Sequence, residues 1–329
     1  MNIGTVNISS LAHVDDIMDL SGNCHDAETA HQNALKFSHL KKLTHSVKKC
    51  SNMTIFRPAC SPNPHLEIDG KKIELVRLIP YLGDVFNDRG TNKDLMKDRI
   101  DRGTRASIGI EAFIRESYFG IYKICIHILL YRSIFMSSVL FNSQAWTNIT
   151  TNDLKELGIL QIRVLKRIVN ARRMTSNAFL FLELGILPIK YEVHIRQMCF
   201  LHHIINLSED DPVKQVWRSL RMLPDFRNWW YDIKNLHKVY EVDFSEDDVK
   251  SVTKETYNKK IKDLVTKFAQ TELKKVCKTQ SKTRDLDFST FEMQNYLKVL
   301  SPSMSNIIFK ARSRIKNQES RINFYSHKL

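Results

Sequence analysis

The chain has 329 residues, 43% hydrophobic and 26% charged. That is enough apolar material for two or more domains, and it excludes a disordered or collagen-like class. Fifty Lys and Arg against 36 Asp and Glu leave a net charge of +14. Such an excess favours a polyanionic partner, because phosphate contacts release condensed counterions. Charge alone leaves RNA, DNA and an anionic membrane surface open.

The six cysteines, Cys24, Cys50, Cys60, Cys125, Cys199 and Cys277, form no C-x-x-C pair and no local Cys/His zinc spacing. They read as scattered reduced thiols of an intracellular protein. No basic segment followed by an apolar core opens the chain, so no signal peptide or other targeting signal is expected.

Residues 1–90 mix strand and helix signals. Ile8 to Leu20 is β-like on both sides of Asp15-Asp16, which suits a hairpin with the acids at its tip. Asp26 to Leu43 carries Ala30, Ala34, Phe37 and Leu40 at helical spacing. Pro58, Pro62 and Pro64 mark a loop. Asp69-Gly70, between two β-like runs, signals a further hairpin.

From Thr91 onward the pattern is almost wholly helical. Thr91 with Asp94, and Thr150 with Asp153, resemble capping boxes. Gly120 to Trp146 is the most apolar stretch. Lys123, His127 and Arg132 interrupt it, so a buried helix is expected rather than a membrane span.

After Thr150, Leu154, Leu157, Leu160, Val164 and Ile168 share one helical face. Arg163, Lys166 and Arg167 take the opposite face, and Arg172 and Arg173 follow. These five are candidates for contact with a nucleic-acid backbone. Pro188 can start the next helix. Within it, His202-His203 is a poor metal pair, because adjacent helical side chains diverge.

Residues 208–212 break the pattern, and Lys250 to Arg284 is lysine-rich. The cluster Trp229-Trp230-Tyr231 reads first as core. The expected organisation is therefore 1–90, 91–206 and 207–329. The fold class is mainly α, with a small antiparallel β portion near the N-terminus.

Two adjacent carboxylates at a tight turn repel unless a cation neutralises them, and magnesium accepts such hard oxygen ligands. Asp210-Asp211 and Asp247-Asp248 read instead as loop or cap acids. The segment Ser10 to Met18 around Asp15-Asp16 resembles the Tyr/Phe-Ala-Asp-Asp motif of reverse transcriptases, in detail that of non-LTR retrotransposons. Further segments are similar to that family in order: Phe37 to Met53 with Lys49, Leu66 to Gly83 ending Tyr81-Leu82-Gly83, and Asp94 to Phe113. Leu184-Gly185-Ile186-Leu187-Pro188 and Phe309 to Arg314 continue the series.

The resemblance implies a truncated palm (1–90), a helical thumb (91–206) and a basic helical C-terminal region (207–329) of an RNA-directed DNA polymerase. It implies two-metal nucleotidyl transfer in the parent enzyme, with Mg2+ held by Asp15 and Asp16 and Lys49 beside the departing pyrophosphate. Tyr81, Leu82 and Gly83 would position the primer. RNA template and DNA primer would be the partners, with no membrane, no small-molecule cofactor beyond the nucleotide, and a nuclear site of action.

His13 replaces the family's aromatic, and Asp19 takes a usually apolar position. The family's fingers and third catalytic carboxylate precede the Asp-Asp motif. The chain alone is therefore expected to be an inactive fragment or degenerate copy, with a palm sheet whose apolar face is poorly covered. A non-catalytic nucleic-acid-binding helical module and a pseudogene product without function stand as alternatives.

Overall fold

The computed structural model describes residues 2–3, 6–7, 10–14, 16–55, 64–116, 124–223, 227–243 and 245–313. Asp15 and Cys60 lie outside them. Helix makes up 61% of the structure, and the strands form small pairs. The chain divides into two compact units, each built from segments that are not consecutive.

The first unit comprises Met1–Asp98, Trp146–Ile149 and His203–Asn235. Among its described residues every sheet has two strands. Strands β1 (Asn2–Ile3) and β2 (Val6–Asn7) pair antiparallel, as do β3 (Ser10–His13) and β4 (Asp16–Asp19), with His13 opposite Asp16. Helix α1 (Cys24–Leu40) follows. The Asn23 side chain accepts from Asp26 N–H and caps its start.

Strand β5 (Ser51–Asn52) pairs with β8 (Glu74–Leu75) in parallel, a departure from a purely antiparallel portion. Strands β6 (Glu67–Ile68) and β7 (Lys71–Lys72) flank the Asp69-Gly70 turn. Both turn residues have positive φ, 51° and 72°, the geometry that matches strand twist in a two-residue hairpin. Strands β9 (Leu78–Tyr81) and β10 (Asp84–Asn87) form another antiparallel hairpin.

Two-stranded pairs cannot cover both of their faces. Leu11, Ile17, Leu75, Leu78 and Phe86 are accordingly exposed. Buried apolar side chains of this unit include Ile68, Ile73, Leu95 and Met96, together with Trp217 of α8 (Pro212–Arg221) and Trp229, Trp230 and Ile233 of α9 (Trp229–Val239). Trp217 and Trp230 meet edge to face at 5.9 Å, and the Arg221 guanidinium covers both rings. Trp229 and Trp230 are thus core, as their clustering suggests, while Tyr231 is 37% exposed.

Lys214 is buried at 2% exposure, yet its ammonium donates to the carbonyls of Ile205 and Leu207 and pairs with Glu209. A buried cation is tolerated because those acceptors replace its water. Asp211 caps α8, and Asp247 and Asp248 occupy the first turn of α10 (Glu246–Ser251) in the second unit. The latter three acids are helix-start acids, as expected.

The second unit comprises Arg99–Ala145, Thr150–His202 and Leu236–Leu329. Helix α2 (Lys93–Glu116) begins in the first unit, two residues after Thr91, and continues from Arg99 in the second. The expected capping box is absent there because Asn87 takes its place: its amide donates to Thr91 Oγ1 and to Asp94, and its oxygen accepts from Thr91 N–H. Helix α3 (Ile124–Leu130) runs into a six-residue π-helical stretch, Tyr131–Met136, and then α4 (Ser137–Val139). Ile124, Ile128, Tyr131, Phe135 and Val139 are buried, so residues 124–139 form a helix with one face in the interior, while Leu129 and Ile134 are exposed; Gly120 to Lys123 lie outside the described residues. No helix among the described residues is long and apolar enough to cross a membrane.

Helix α5 (Thr151–Ile168) starts with a complete capping box, Thr150 and Asp153. Its Leu157, Leu160, Val164 and Ile168 are buried, and Leu154 partly so. Helix α6 (Asn177–Leu184) ends at Gly185, which has φ 58°. A Cβ there would stand 2.5 Å from backbone atoms of Glu292 and Met293. Gly185 is therefore demanded twice, by conformation and by space. Helix α7 (Ile189–Ile205) starts directly after Pro188. Helices α11 (Lys254–Thr279), α12 (Asn295–Val299) and α13 (Pro302–Arg312) complete the unit.

Candidate nucleic-acid interface

Helices α2 and α5 enclose an open groove of about 830 Å³. Arg163, Lys166, Arg167 and Arg173 line it, over a floor that includes Ile110, Ile159 and Ile162. The amphipathicity of α5 explains the arrangement. Its leucine face is consumed in the core, so the basic face can only turn outward. Four of the five basic residues singled out by spacing thus share one surface. Arg172 is exposed on the same turn but does not line the groove.

The five cations are not equivalent. Arg167 is paired with Glu111 of α2. Lys166 donates to the carbonyl of Arg173 at 2.8 Å, and its partial burial lowers its pKa. These two organise the groove. Arg163 and Arg173 are exposed and make no ion pair among the described residues, so their guanidinium groups can meet an incoming anion. Glu111 escaped the sequence reading because it lies on another helix, and nothing in its local sequence marks it.

A smaller groove, about 530 Å³, adjoins the other side of α2 and includes Arg102, Arg105 and Phe141. Arg99, one turn earlier, is fully buried, with its guanidinium 5.3 Å from the Phe141 ring centre. Arg99, within the Asp94 to Phe113 segment of the resemblance, therefore has a packing role here.

The acids of the N-terminal hairpin stand differently. Asp16 is exposed at the start of β4. Val14 occupies the turn at φ 56° and is 93% exposed. Asp19 accepts a hydrogen bond of 2.6 Å from the Ser10 hydroxyl across the hairpin. This exposed pairing satisfies the Asp19 carboxylate on the strand. The Tyr81 hydroxyl reaches the Leu11 carbonyl at 3.4 Å, which brings the Tyr81-Leu82-Gly83 segment beside the hairpin.

Lys49 is exposed at the end of a 3-10 turn, Val47–Lys49. Among the described residues no hydrogen bond or ion pair joins it to Asp16. Nor do the described residues contain a group of three or more His, Cys, Asp or Glu able to hold a metal ion. His202 and His203 diverge as expected: His202 is buried against Tyr257 and bonded to the Val252 carbonyl, while His203 faces outward.

Tyr81-Leu82-Gly83 does not close the hairpin that begins at Leu66. It forms its own two-residue turn between β9 and β10, with Leu82 at φ 46° and Gly83 at φ 85°. The signal was weak because Leu-Gly is a poor match to the Asn-Gly and Asp-Gly pairs such turns favour.

Two buried polar clusters of the second unit were also unmarked. Gln161, fully buried on α5, donates to the Tyr131 hydroxyl and the Leu187 carbonyl and accepts from Ile189 N–H. It ties α5 to the π-helical stretch and to the start of α7. Glu183, also fully buried, accepts from Tyr296 at 2.6 Å and from Arg312 at 2.6 Å. Burial raises the Glu183 pKa, opposed by Arg312 and then by the Tyr296 hydrogen bond. This pair joins α6, just before Leu184-Gly185, to the Phe309–Arg312 stretch of α13.

No family model, no curated protein and no solved structure matches the chain.

Proposed function

We propose that the chain descends from an RNA-directed DNA polymerase of the non-LTR retrotransposon kind, and that the helical unit retains the binding of nucleic-acid backbone in the α2–α5 groove. The observation that carries the binding reading is the convergence of Arg163, Lys166, Arg167 and Arg173 on one open surface. Phosphate contacts by Arg position a duplex without reading its bases. Among the described residues the groove lining holds no aromatic side chain for stacking, so sequence-tolerant backbone contact fits it better than base recognition. The polymerase ancestry rests on the order of motifs and is supported by the Asp16 hairpin with Tyr81 beside it. In this reading Asp15 and Asp16 held magnesium in the parent enzyme.

Fluorescence anisotropy with a labelled mixed-sequence 20-base-pair duplex, titrated across salt concentrations, tests the groove. Wild-type chain is expected to bind with a negative dependence of log Kobs on log salt. Arg163→Gln with Arg173→Gln should reduce that slope by roughly 2. A wild-type chain with no affinity at low salt would sink the proposal, as would an unchanged slope in the double variant.

A further inference from the structure

Helix α11 carries eight lysines in 26 residues. Tyr257, Ile261, Val265 and Ala269 recur every four residues and are buried, which fixes its inward face. At 3.6 residues per turn, Lys260, Lys267, Lys274 and Lys278 fall within roughly 40° of one another on the opposite side. Lys260, Lys267 and Lys278 are exposed, and Lys274 partly so. The ion pair within this helix, Lys275 with Glu272 at 2.9 Å, lies off that line.

Asp263 is the one acid along the line. Neither it nor any of the four lysines makes an ion pair among the described residues. A merely solvated helical face interleaves acids three or four residues from its lysines, because like charges at that spacing repel. Asp263, three residues after Lys260 and four before Lys267, offsets the first half of this face, whereas Lys274 and Lys278, four residues apart, have no acid on the line at that spacing.

We infer that the lysine line of α11 is a second contact for nucleic-acid backbone, seated on duplex phosphates and indifferent to base sequence. It rests on the reading of nucleic acid as the partner, but on different residues. From Lys260 to Lys278 the helix rises about 27 Å, a length over which a duplex carries roughly 16 phosphates. A lipid surface fits less well. A helix that lies on a membrane inserts an exposed apolar face, and the regular apolar face of α11 is buried in the protein. Gln270 and Thr271, between Lys267 and Lys274 on the outer side, are polar.

The test uses the full chain and the same duplex. With all four lysines changed to Gln, the salt slope should fall by about 3 to 4, and binding should weaken on the order of tenfold or more. Lys260→Gln with Lys267→Gln, and Lys274→Gln with Lys278→Gln, should each give about half of the slope change, so the result survives misfolding of the fourfold variant. Arg at the four positions should restore binding. A control removes the same charge elsewhere, through Lys41, Lys71, Lys72 and Lys97 to Gln, and should change the slope by less than 1.

An unchanged slope in the α11 variants, with the groove variant still impaired, overturns the lysine line and leaves the groove standing. An equal loss in the control shows bulk charge alone and also overturns it. Loss of binding to phosphatidylserine vesicles with duplex binding intact overturns the choice of partner. Failure of wild-type chain to bind the duplex overturns both readings.

Discussion

Leu82 shows how a single residue can depart from local preference. It sits at φ 46° and is followed by Gly83 at φ 85°. The left-handed region costs a non-glycine residue roughly 1–2 kcal/mol, and Asn carries less of that cost. Leu82→Asn is therefore expected to stabilise the chain by about 0.5–1 kcal/mol, read as a higher urea midpoint with unchanged m-value. A lower midpoint would mean that the half-exposed Leu82 side chain contributes packing that outweighs its strain. At this scale legibility followed chemistry with a local signature. Asp69-Gly70 and Thr150 with Asp153 were readable because the groups that satisfy each other are three residues apart or fewer. Gln161, Glu183 and Lys214 were not, because their partners lie on other elements. Removing the polar group from such residues leaves its hydrogen-bond partners unsatisfied, which is why polar residues at these positions are tolerated only in their observed pairings.

At the scale of elements, helix existence was legible and helix packing was not. The leucine period of α5 gave both its buried face and, by subtraction, the basic groove. The same helix α2 contains two glycines with opposite meanings. A Cβ on Gly103 would stand 2.6 Å from Val139 and 2.9 Å from Leu160, whereas one on Gly109 meets nothing within 4 Å. Ala is favoured over Gly in a helix by up to about 1 kcal/mol, but overpacking against a β-branched neighbour costs about 1–3 kcal/mol. Gly103→Ala should lower stability by about 1–2 kcal/mol and Gly109→Ala should raise it by about 0.5–1 kcal/mol, both measured by chemical denaturation. Equal effects at the two sites would refute the close approach of α2 to Val139. The π-helical stretch was also invisible in the sequence, since the apolar period of residues 124–139 suits a continuous helix. Tyr131 and Phe135, stacked at 5.2 Å within it, show that the widened turn serves the interior.

At the scale of the molecule, burial of titratable groups sets how stability depends on pH. His127, His194 and His237 have lowered pKa values, each through desolvation first, and that of His194 falls to about 4. A histidine buried neutral contributes stability that is present above its unfolded value near 6.5 and is lost as pH falls toward the folded value. Glu183 and Glu192 are raised by burial and act in the opposite sense, losing stability as pH rises through their folded values. His194→Gln, which can keep a hydrogen bond to Tyr240, should flatten the loss of stability between pH 6.5 and about 4, measured by urea midpoints across that range. Unaltered pH dependence in the variant would rule out His194 as a source of it. The two compact units interleave along the chain, and no consecutive partition of a sequence can express that. By itself the sequence determined the helical class, the Asp16 hairpin, the apolar and basic faces of α5 and the excess of positive charge, because each depends on residues within a turn or two of one another. Only the tertiary structure decided that four cations share a groove with Glu111, that Gly185 must admit the backbone of residues 292–293, and that Lys260, Lys267, Lys274 and Lys278 make no ion pair among the described residues. Those outcomes depend on which distant segments occupy the space beside a side chain, and a local pattern carries no record of that.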